Sequence, residues 1–454
     1  MPDELDALRG ALPGGQIITD PAVMESYRGD QATVITAGQP RCVVLPRTTA
    51  EVATTLAWAQ QHRIPVVPRG GGTGLAGGAT AVDGCMTLSL TRMNAITEID
   101  PANEVAVAEA GVVNADLDRA AAAHGLMYPP DPSSLEISTI GGNLATNAGG
   151  LRCVKYGVTR DAALGLEVVL AGGRVLHTGR RTMKGVTGYD LTGLFVGSEG
   201  TLGVITSATL RLRPRPASYP RTMAAGFASF AAGAQAVTAI LAARLQPSML
   251  ELMDRMTLRA IDEWKGTGFD QIEALLIAQD DGSDGERGAQ AMRELCVLAG
   301  ASMAEVSSTD AESRQLLELR RLAHPAVERL GTTLVEDVCV PRSRLPEMVE
   351  RIERAGNRHH VFIATVAHAG DGNLHPVFVF DRGLAEVPAA VWAAADEVFR
   401  AALELGGTLT GEHGVGVIKR RWLEQEIGEV SMAVHHSIKN ALDPAHIMNP
   451  GKIL

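Results

Sequence analysis

The chain lacks any apolar run approaching the ~20 residues that a membrane span requires, so no integral membrane segment is expected. It also lacks an excess of positive charge. Its 41 Lys and Arg stand against 52 Asp and Glu, a formal net charge of -11. That balance argues against nucleic acid or an anionic bilayer as the principal partner. It does not argue against an anionic substrate, which needs only a local basic pocket. There is no CxxC pair: Cys42, Cys85, Cys153, Cys296 and Cys339 stand far apart. An odd, scattered set reads as reduced cysteines and excludes an iron–sulfur or structural zinc framework. The segment MPDELDALRGALPG has acids and no apolar h-region, so no signal peptide is read there and a cytoplasmic location is expected. Repeats and low-complexity tracts are absent. With 46% hydrophobic and 20% charged residues over 454 positions, the chain reads as globular, with two or three domains.

Glycine is what the sequence has in surplus: 49 residues, in clusters. Clustered glycines allow the backbone to approach a ligand closely. The segment PRGGGTGLAGGA (Pro68 to Ala79) follows the expected strand IPVVP, and Gly72 to Gly77 satisfies G-x-G-x-x-G. A dinucleotide site of that pattern needs a helix directly after the glycines, its N-terminus facing the pyrophosphate. Only Gly78 to Gly84 separates the segment from the next expected strand, CMTLSL. The Rossmann reading therefore fails, and an anion-binding nest of backbone N–H groups remains. GGNLATNAGG (Gly141 to Gly150) reads as a second tight polar loop and GSEGTLGVIT (Gly197 to Thr206) as a third. Three such loops beside strands suggest one large ligand lined by backbone.

Around these loops, Thr48 is expected to cap a helix ending near His62, with Glu51 completing a capping box. Hairpins are expected over Ile96–Val113 and Leu166–His177, and Asn114 is expected to cap a helix ending at Gly125. Val204 to Leu212 alternates as a half-buried strand. Arg213-Pro-Arg-Pro-Ala217 marks a boundary. Beyond it the pattern predicts helices near 228–244, 285–299, 311–330 and 388–405, with strands near 273–279 and 361–366.

A second constellation lies there. HAGDGNLH carries His368 and His375, and Gly370-Asp-Gly372 inside it predicts strand–turn–strand, which lets two imidazoles converge. GEHGVG adds Glu412 and His413 between glycines. Two His and one Glu form a plausible divalent-metal set with coordination positions left open. Arg320 lies in the charged helical segment LELRRLAHPAVERLG.

PRGGGTGLAGGA, PPDPSS, GGNLATNAGG, KGVTGYDLTGLFVGSEGTLGVIT and MNPGK, in that order, resemble the FAD-linked oxidase family with the vanillyl-alcohol-oxidase (PCMH) type of FAD domain. Within it, the D-lactate dehydrogenase, glycolate oxidase FAD-subunit and D-2-hydroxyglutarate dehydrogenase group is nearest. The resemblance implies an α+β protein: a two-subdomain PCMH-type FAD-binding domain over 1–214, an α+β cap or substrate domain with an antiparallel sheet over 215–430, and a tail, 431–454, returning to the FAD domain. It implies that Pro68, Arg69, Gly70, Gly71, Gly72, Thr73, Gly74 and Leu75 wrap the FAD pyrophosphate. Pro130, Asp131, Ser133 and Ser134 would lie beside the ribityl chain and isoalloxazine. So would Gly141, Gly142, Asn143, Thr146, Asn147, Gly149 and Gly150. Glu199, Gly200, Gly203 and Ile205 would border the adenosine side or ring edge, with Asn449 reaching back to the flavin. Thr73 and Leu75 stand where covalently linked relatives have a His or Cys nearby, so non-covalent FAD is expected.

The resemblance further implies that His368, His375 and Glu412 hold a divalent metal, zinc first, with manganese or iron as alternatives. His413 would be the catalytic base and Arg320 would bind the substrate carboxylate, with Asn373 as a further substrate contact. His324 stands where relatives often carry an aromatic. The implied reaction is oxidation of a D-2-hydroxy acid, D-lactate-like or glycolate, to the 2-oxo acid by hydride transfer to flavin N5. The metal would acidify the hydroxyl and His413 would take its proton. Alternatives are a FAD subunit of a multi-subunit glycolate oxidase, a D-2-hydroxyglutarate dehydrogenase, and a non-redox enzyme of the alkyl-glycerone-phosphate synthase type. The expected electron acceptor is external: a quinone, a cytochrome or an electron-transfer protein. Peripheral membrane association through that acceptor and a homodimer are both compatible with the sequence.

Overall fold

The computed structural model describes residues 5–12, 16–217 and 219–454. Positions 1–4 and 13–15 of the N-terminal segment, on which the signal-peptide reading partly rests, lie outside them. Contacts divide the chain into two compact units. The first is Met1–Gly149, Gly157–Arg215 and Glu412–Leu454; the second is Gly150–Tyr156 and Pro216–Gly411. The return to the first unit thus falls at Glu412, earlier than the 431 read from sequence, and a short piece after Gly149 packs with the second unit. Lys155 and Tyr156 explain that piece. Both bind the buried Asp281 of the second unit, Tyr156 Oη donating to Oδ2 at 2.5 Å.

Among the described residues the first unit holds two main sheets, as a two-subdomain fold requires, and a two-stranded one that pairs Arg213–Pro214 with Leu126–Met127. One runs in the order Ile17–Ile18, Cys42–Val44, Met86–Ser89, Val66–Arg69, its last three strands parallel. The helix Thr49–His62 covers it with Val52, Leu56 and Ala59, spaced for one helical face. Thr48 Oγ1 accepts the Glu51 N–H at 3.2 Å, while the Glu51 carboxylate accepts from Arg47 N rather than from Thr48. The capping box is therefore displaced by one residue. The parallel strands Val66–Arg69 and Met86–Ser89 are joined without a helix, which is the observation that excludes a Rossmann crossover. The other sheet is antiparallel, in the order Ile96–Asp100, Val105–Glu109, Val204–Arg211, Ala163–Val169, Val175–Gly179. The C-terminal tail docks on the first sheet: Val66 N donates to Ile447 O at 2.7 Å and Asn449 N to Val66 O at 2.8 Å.

Three local expectations are corrected. Asn114 is the first residue of its helix and not the cap; its side chain is buried and donates to Pro130 O at 3.2 Å. The 311–330 helix is two helices, Asp310–Arg321 and Ala323–Glu328. GGNLATNAGG is not a loop: Ile140–Thr146 is a helical turn pair capped by Thr139 and closed by Asn147 at φ 53. Its glycines lower helix propensity, yet buried Ile140 and Leu144 anchor one face.

The second unit is built on an antiparallel sheet in the order Met303–Val306, Arg221–Phe227, Ala274–Asp280, Met249–Asp254, Phe362–His368, Asn373–Phe380, Thr332–Val335, with Val338–Cys339 also paired to Asn373–Phe380. The expected strand–turn–strand is the hairpin Phe362–His368 and Asn373–Phe380. Gly372 makes its turn possible, with φ 84 and a position where a Cβ would run into the Val340 carbonyl.

Candidate functional site

The glycine segments of the first unit converge on one cavity of about 1350 Å³, open solvent at its mouth included. Pro68, Arg69, Gly70 to Gly72, Thr73, Gly74 and Leu75 line it from the first segment. Ser133 and Ser134 contribute from PPDPSS, and Gly141, Gly142, Asn143, Thr146 and Gly149 from the second segment. Glu199, Gly200, Gly203 and Ile205 complete the set from the third. Gly72 has φ 71, a conformation side-chain-bearing residues rarely adopt. Asn143 Nδ2 is a buried donor with no hydrogen-bond partner among the described residues. A buried amide without a partner is costly, so a polar cofactor in this glycine-lined cavity fits the wall that faces it.

Other expected cofactor residues lie outside the lining. Pro130 accepts the Asn114 amide, and Asn147 closes its helix while its Oδ1 accepts from Arg160 N at 2.9 Å. Asp131 is buried, and Gly150 belongs to the second unit. Asn449 is buried as a clamp: its Nδ2 donates to Gly78 O at 2.8 Å and Glu199 O at 2.6 Å, joining two walls of the cavity.

Among the groups that brace this cavity, sequence reading named Arg69 and Glu199 but missed Asp30 and Lys439. Asp30 accepts from Ala32 N, Ala79 N and Thr80 Oγ1 beneath the first glycine segment. Burial raises its pKa against those bonds and against the Arg69 charge. Burial lowers that of Arg69, which donates to Gly29 O at 2.6 Å. Glu199 accepts from Val415 N at 2.7 Å and Gly416 N at 2.9 Å, so it fixes the turn that follows His413. Burial pushes its carboxyl to about 7 despite those two donors. Lys439 is a third brace, its Nζ donating to Thr201 O, Met448 O and Asp443 Oδ2 at 2.6 to 2.7 Å. Most of these contacts join distant segments, as Asp30 with Ala79 and Thr80, Glu199 with Val415 and Gly416, and Lys439 with Thr201, so no local sequence pattern marks them.

Glu412 and His413 line the same cavity. The two side chains are largely buried, with His413 Nε2 at 4.0 Å from Glu412 Oε1. The first unit therefore places an imidazole and a carboxylate in the wall of the glycine-lined cavity.

In the second unit the hairpin brings His368 and His375 together, their rings 4.9 Å apart and edge to face. The register sets Val366 opposite His375 and His368 opposite Asn373, so all four side chains share one face. Glu251, on the neighbouring strand opposite His368, places its carboxylate oxygens 2.8 and 2.9 Å from His368 Nδ1. Its Oε2 also accepts from Arg320 Nε at 2.8 Å. Arg320 is not a solvated helix charge: its side chain is only 11% exposed. His324 follows in the Ala323–Glu328 helix; burial lowers its pKa, Glu328 opposes this, and His375 and Arg320 add to it. Asn373 Nδ2 is committed to Val338 O at 3.0 Å and lies 3.5 Å from Asp337. Asp337 is fully buried and accepts from Thr410 Oγ1 and Gly411 N. With Nδ1 turned to a carboxylate, Nε2 of His368 faces the other way, the usual arrangement of a metal-binding histidine. This donor set fits a divalent ion.

No helix among the described residues is long and apolar enough to cross a membrane. Residues 40–179 match the family model of an FAD binding domain and residues 217–453 that of the FAD linked oxidases, C-terminal domain. The chain is 43% identical over 418 residues to glycolate oxidase subunit GlcD of Bacillus subtilis (strain 168), covering 91% of this chain and 89% of that protein. It is 33% identical over 465 residues to D-lactate dehydrogenase of Anaerostipes hadrus, covering 100% of this chain and 97% of the relative. Among solved structures, p-cresol methylhydroxylase matches with a TM-score of 0.81 at 18% identity, covering 99% of this chain and 96% of that one. Alkyldihydroxyacetonephosphate synthase matches at 0.76 and 19% identity, covering 99% and 84%. These last two likenesses show the fold, while the family models and the closer sequences show the lineage. The chain belongs to the FAD-linked oxidases, as an FAD-binding oxidoreductase with a PCMH-type fold.

Proposed function

We propose that this oxidoreductase converts a D-2-hydroxy acid, D-lactate-like or glycolate, into the 2-oxo acid. The observation that carries the reading is His413, an imidazole in the wall of the same cavity that the three glycine segments line. FAD bound there, without a covalent link, supplies the hydride acceptor. The segment Arg69 to Leu75 is assigned to the pyrophosphate, and Ser133, Ser134, Gly141, Gly142, Asn143 and Gly149 to the ribityl and ring side. Loss of the C2 hydride makes a carbonyl, so the hydroxyl proton must leave as well. His413 takes it, since an imidazole titrates near neutral pH. Arg320 holds the substrate carboxylate through its planar fork. His368 and His375, with Glu412 as the third ligand implied by the sequence resemblance, are assigned to a divalent metal, zinc by preference, which lowers the hydroxyl pKa when bound. Electrons then leave to an external acceptor.

The test is an anaerobic panel of 2-hydroxy acids, both enantiomers, added to the FAD-loaded chain while flavin absorbance is followed. The D enantiomers or glycolate should bleach the flavin. His413→Ala should retain FAD and lose at least 10²-fold in reduction rate, the usual worth of a general base. A panel that leaves the wild-type flavin oxidised refutes the reading. The similarity to relatives named as glycolate oxidase subunits favours one second reading, a FAD subunit that turns over only within a larger complex. Flavin bleaching without multiple turnover by the isolated chain would support it.

A further inference from the structure

Glu251 has no part in the reaction as assigned, yet it is 1% exposed and sits between two groups that do. One carboxylate serves both. His368 Nδ1 lies at 2.8 and 2.9 Å from its two oxygens, and Arg320 Nε donates to Oε2 at 2.8 Å. A buried carboxylate is tolerated only when paired, and here the pairing also dictates what each partner has left to offer. The carboxylate favours the His368 tautomer with hydrogen on Nδ1 and turns Nε2 to the opposite side of the ring. Arg320 spends Nε on Glu251, and its two terminal nitrogens have no hydrogen-bond partner among the described residues. The end-on fork of the guanidinium is thus kept for a second carboxylate. Both partners come from separate elements, the Phe362–His368 strand and the last turn of the Asp310–Arg321 helix. Glu251 ties them.

We propose that Glu251 is a positioning residue that fixes the metal-ligating imidazole and the carboxylate-binding guanidinium at one mutual distance. Selection of acids whose hydroxyl and carboxylate stand on adjacent carbons then follows from the rigidity of the Arg320–Glu251–His368 triad. This inference rests on the roles given above to His368 and Arg320. It goes beyond them in predicting that one substitution, touching neither metal nor substrate, weakens the binding of both.

The experiment uses the full-length, FAD-loaded chain, stripped of metal and refilled with zinc. Zinc affinity is measured by chelator competition. Oxalate, a non-oxidisable dicarboxylate, is titrated calorimetrically into zinc-saturated protein. Glu251→Gln should keep its FAD but bind zinc 10- to 100-fold more weakly, the usual effect of removing a carboxylate behind a metal-bound histidine. Oxalate affinity should fall about tenfold even at saturating zinc, because the Arg320 fork is no longer held. A merely structural role would lower the melting temperature and move neither constant. Glu251→Asp retains the charge and cannot span both partners; it should show the same two losses and carries the test where the Gln variant fails to fold. Wild-type protein that binds no zinc overturns the assigned roles and this inference with them. Wild-type protein that binds zinc and oxalate, with both variants within twofold, overturns the inference alone.

Discussion

Alkaline conditions should loosen the flavin cavity through one carboxyl. Glu199 is buried, and burial lifts its pKa from 4.5 to about 7 against the pull of the Val415 and Gly416 N–H groups. A carboxyl with a raised native pKa stabilises the fold below its unfolded pKa. That contribution disappears as pH rises through the native value, because the native state there binds a proton that the unfolded state has released. Between pH 5 and pH 8 the linkage for such a shift is about 2.5 kcal/mol, at 1.36 kcal/mol per pKa unit. Asp254, raised by burial to about 7, adds a slope of the same sign in the same window, so wild type alone is not diagnostic. The informative quantity is the difference between wild type and Glu199→Gln. The amide cannot ionise, and whatever it costs in hydrogen bonding is the same at every pH. Melting temperatures of FAD-loaded protein, taken from pH 5 to pH 8, should fall less steeply in the variant. At 2–4 °C per kcal/mol for domains of 150–250 residues, the two curves should converge by about 5–10 °C across the range. Parallel curves would show that Glu199 carries the same protonation folded and unfolded, and would refute the reasoning.

Two further outcomes follow from single contacts. Lys439→Met should destabilise the first unit by about 3–5 kcal/mol, since it leaves the fully buried Asp443 without its cation; calorimetry that finds the loss below 1 kcal/mol would show that the backbone donors Ile447 and Met448 suffice. Gly149→Val should weaken FAD retention while the chain stays folded, because a Cβ there displaces the Glu412 carboxylate in the cavity wall; the flavin-to-protein absorbance ratio after gel filtration reads this directly, and a ratio equal to that of wild type would refute it.

Much of the fold was legible because the informative signals are local. The short gap between Gly78 and Gly84 excluded a helix between parallel strands, and the structure has none. Gly370 and Gly372 announced the turn that sets His368 across from Asn373. Local signals misled where burial overrode propensity: Gly141 and Gly142 read as loop, but Ile140 and Leu144 pay for a helix by packing inward. Asn114 read as a cap because Asn favours that position, whereas its amide is used on Pro130. The bracing contacts of Glu251 and Glu199 escaped because their partners are remote in sequence. Glu251 lies 117 positions from His368 and Glu199 lies 216 from Val415. Alternation marks such residues only as acids at inward positions, which a single sequence does not distinguish from surface acids on an edge.

The chain leaves the first unit at Arg215 and comes back at Glu412, and this path fixes an order of events at the ribosome. The second unit is an insertion, complete before the last 43 residues emerge. The first unit begins earlier and finishes later: His413, the turn clamped by Glu199, and the Ile447–Asn449 segment that pairs with Val66 are all synthesised at the end. Domains ordinarily fold in order of emergence; here the inserted unit can close first while the flavin cavity waits for its final wall. A chain stalled just before Glu412 would therefore carry the second unit and an incomplete flavin cavity, so cofactor retention reports on synthesis past Asn449.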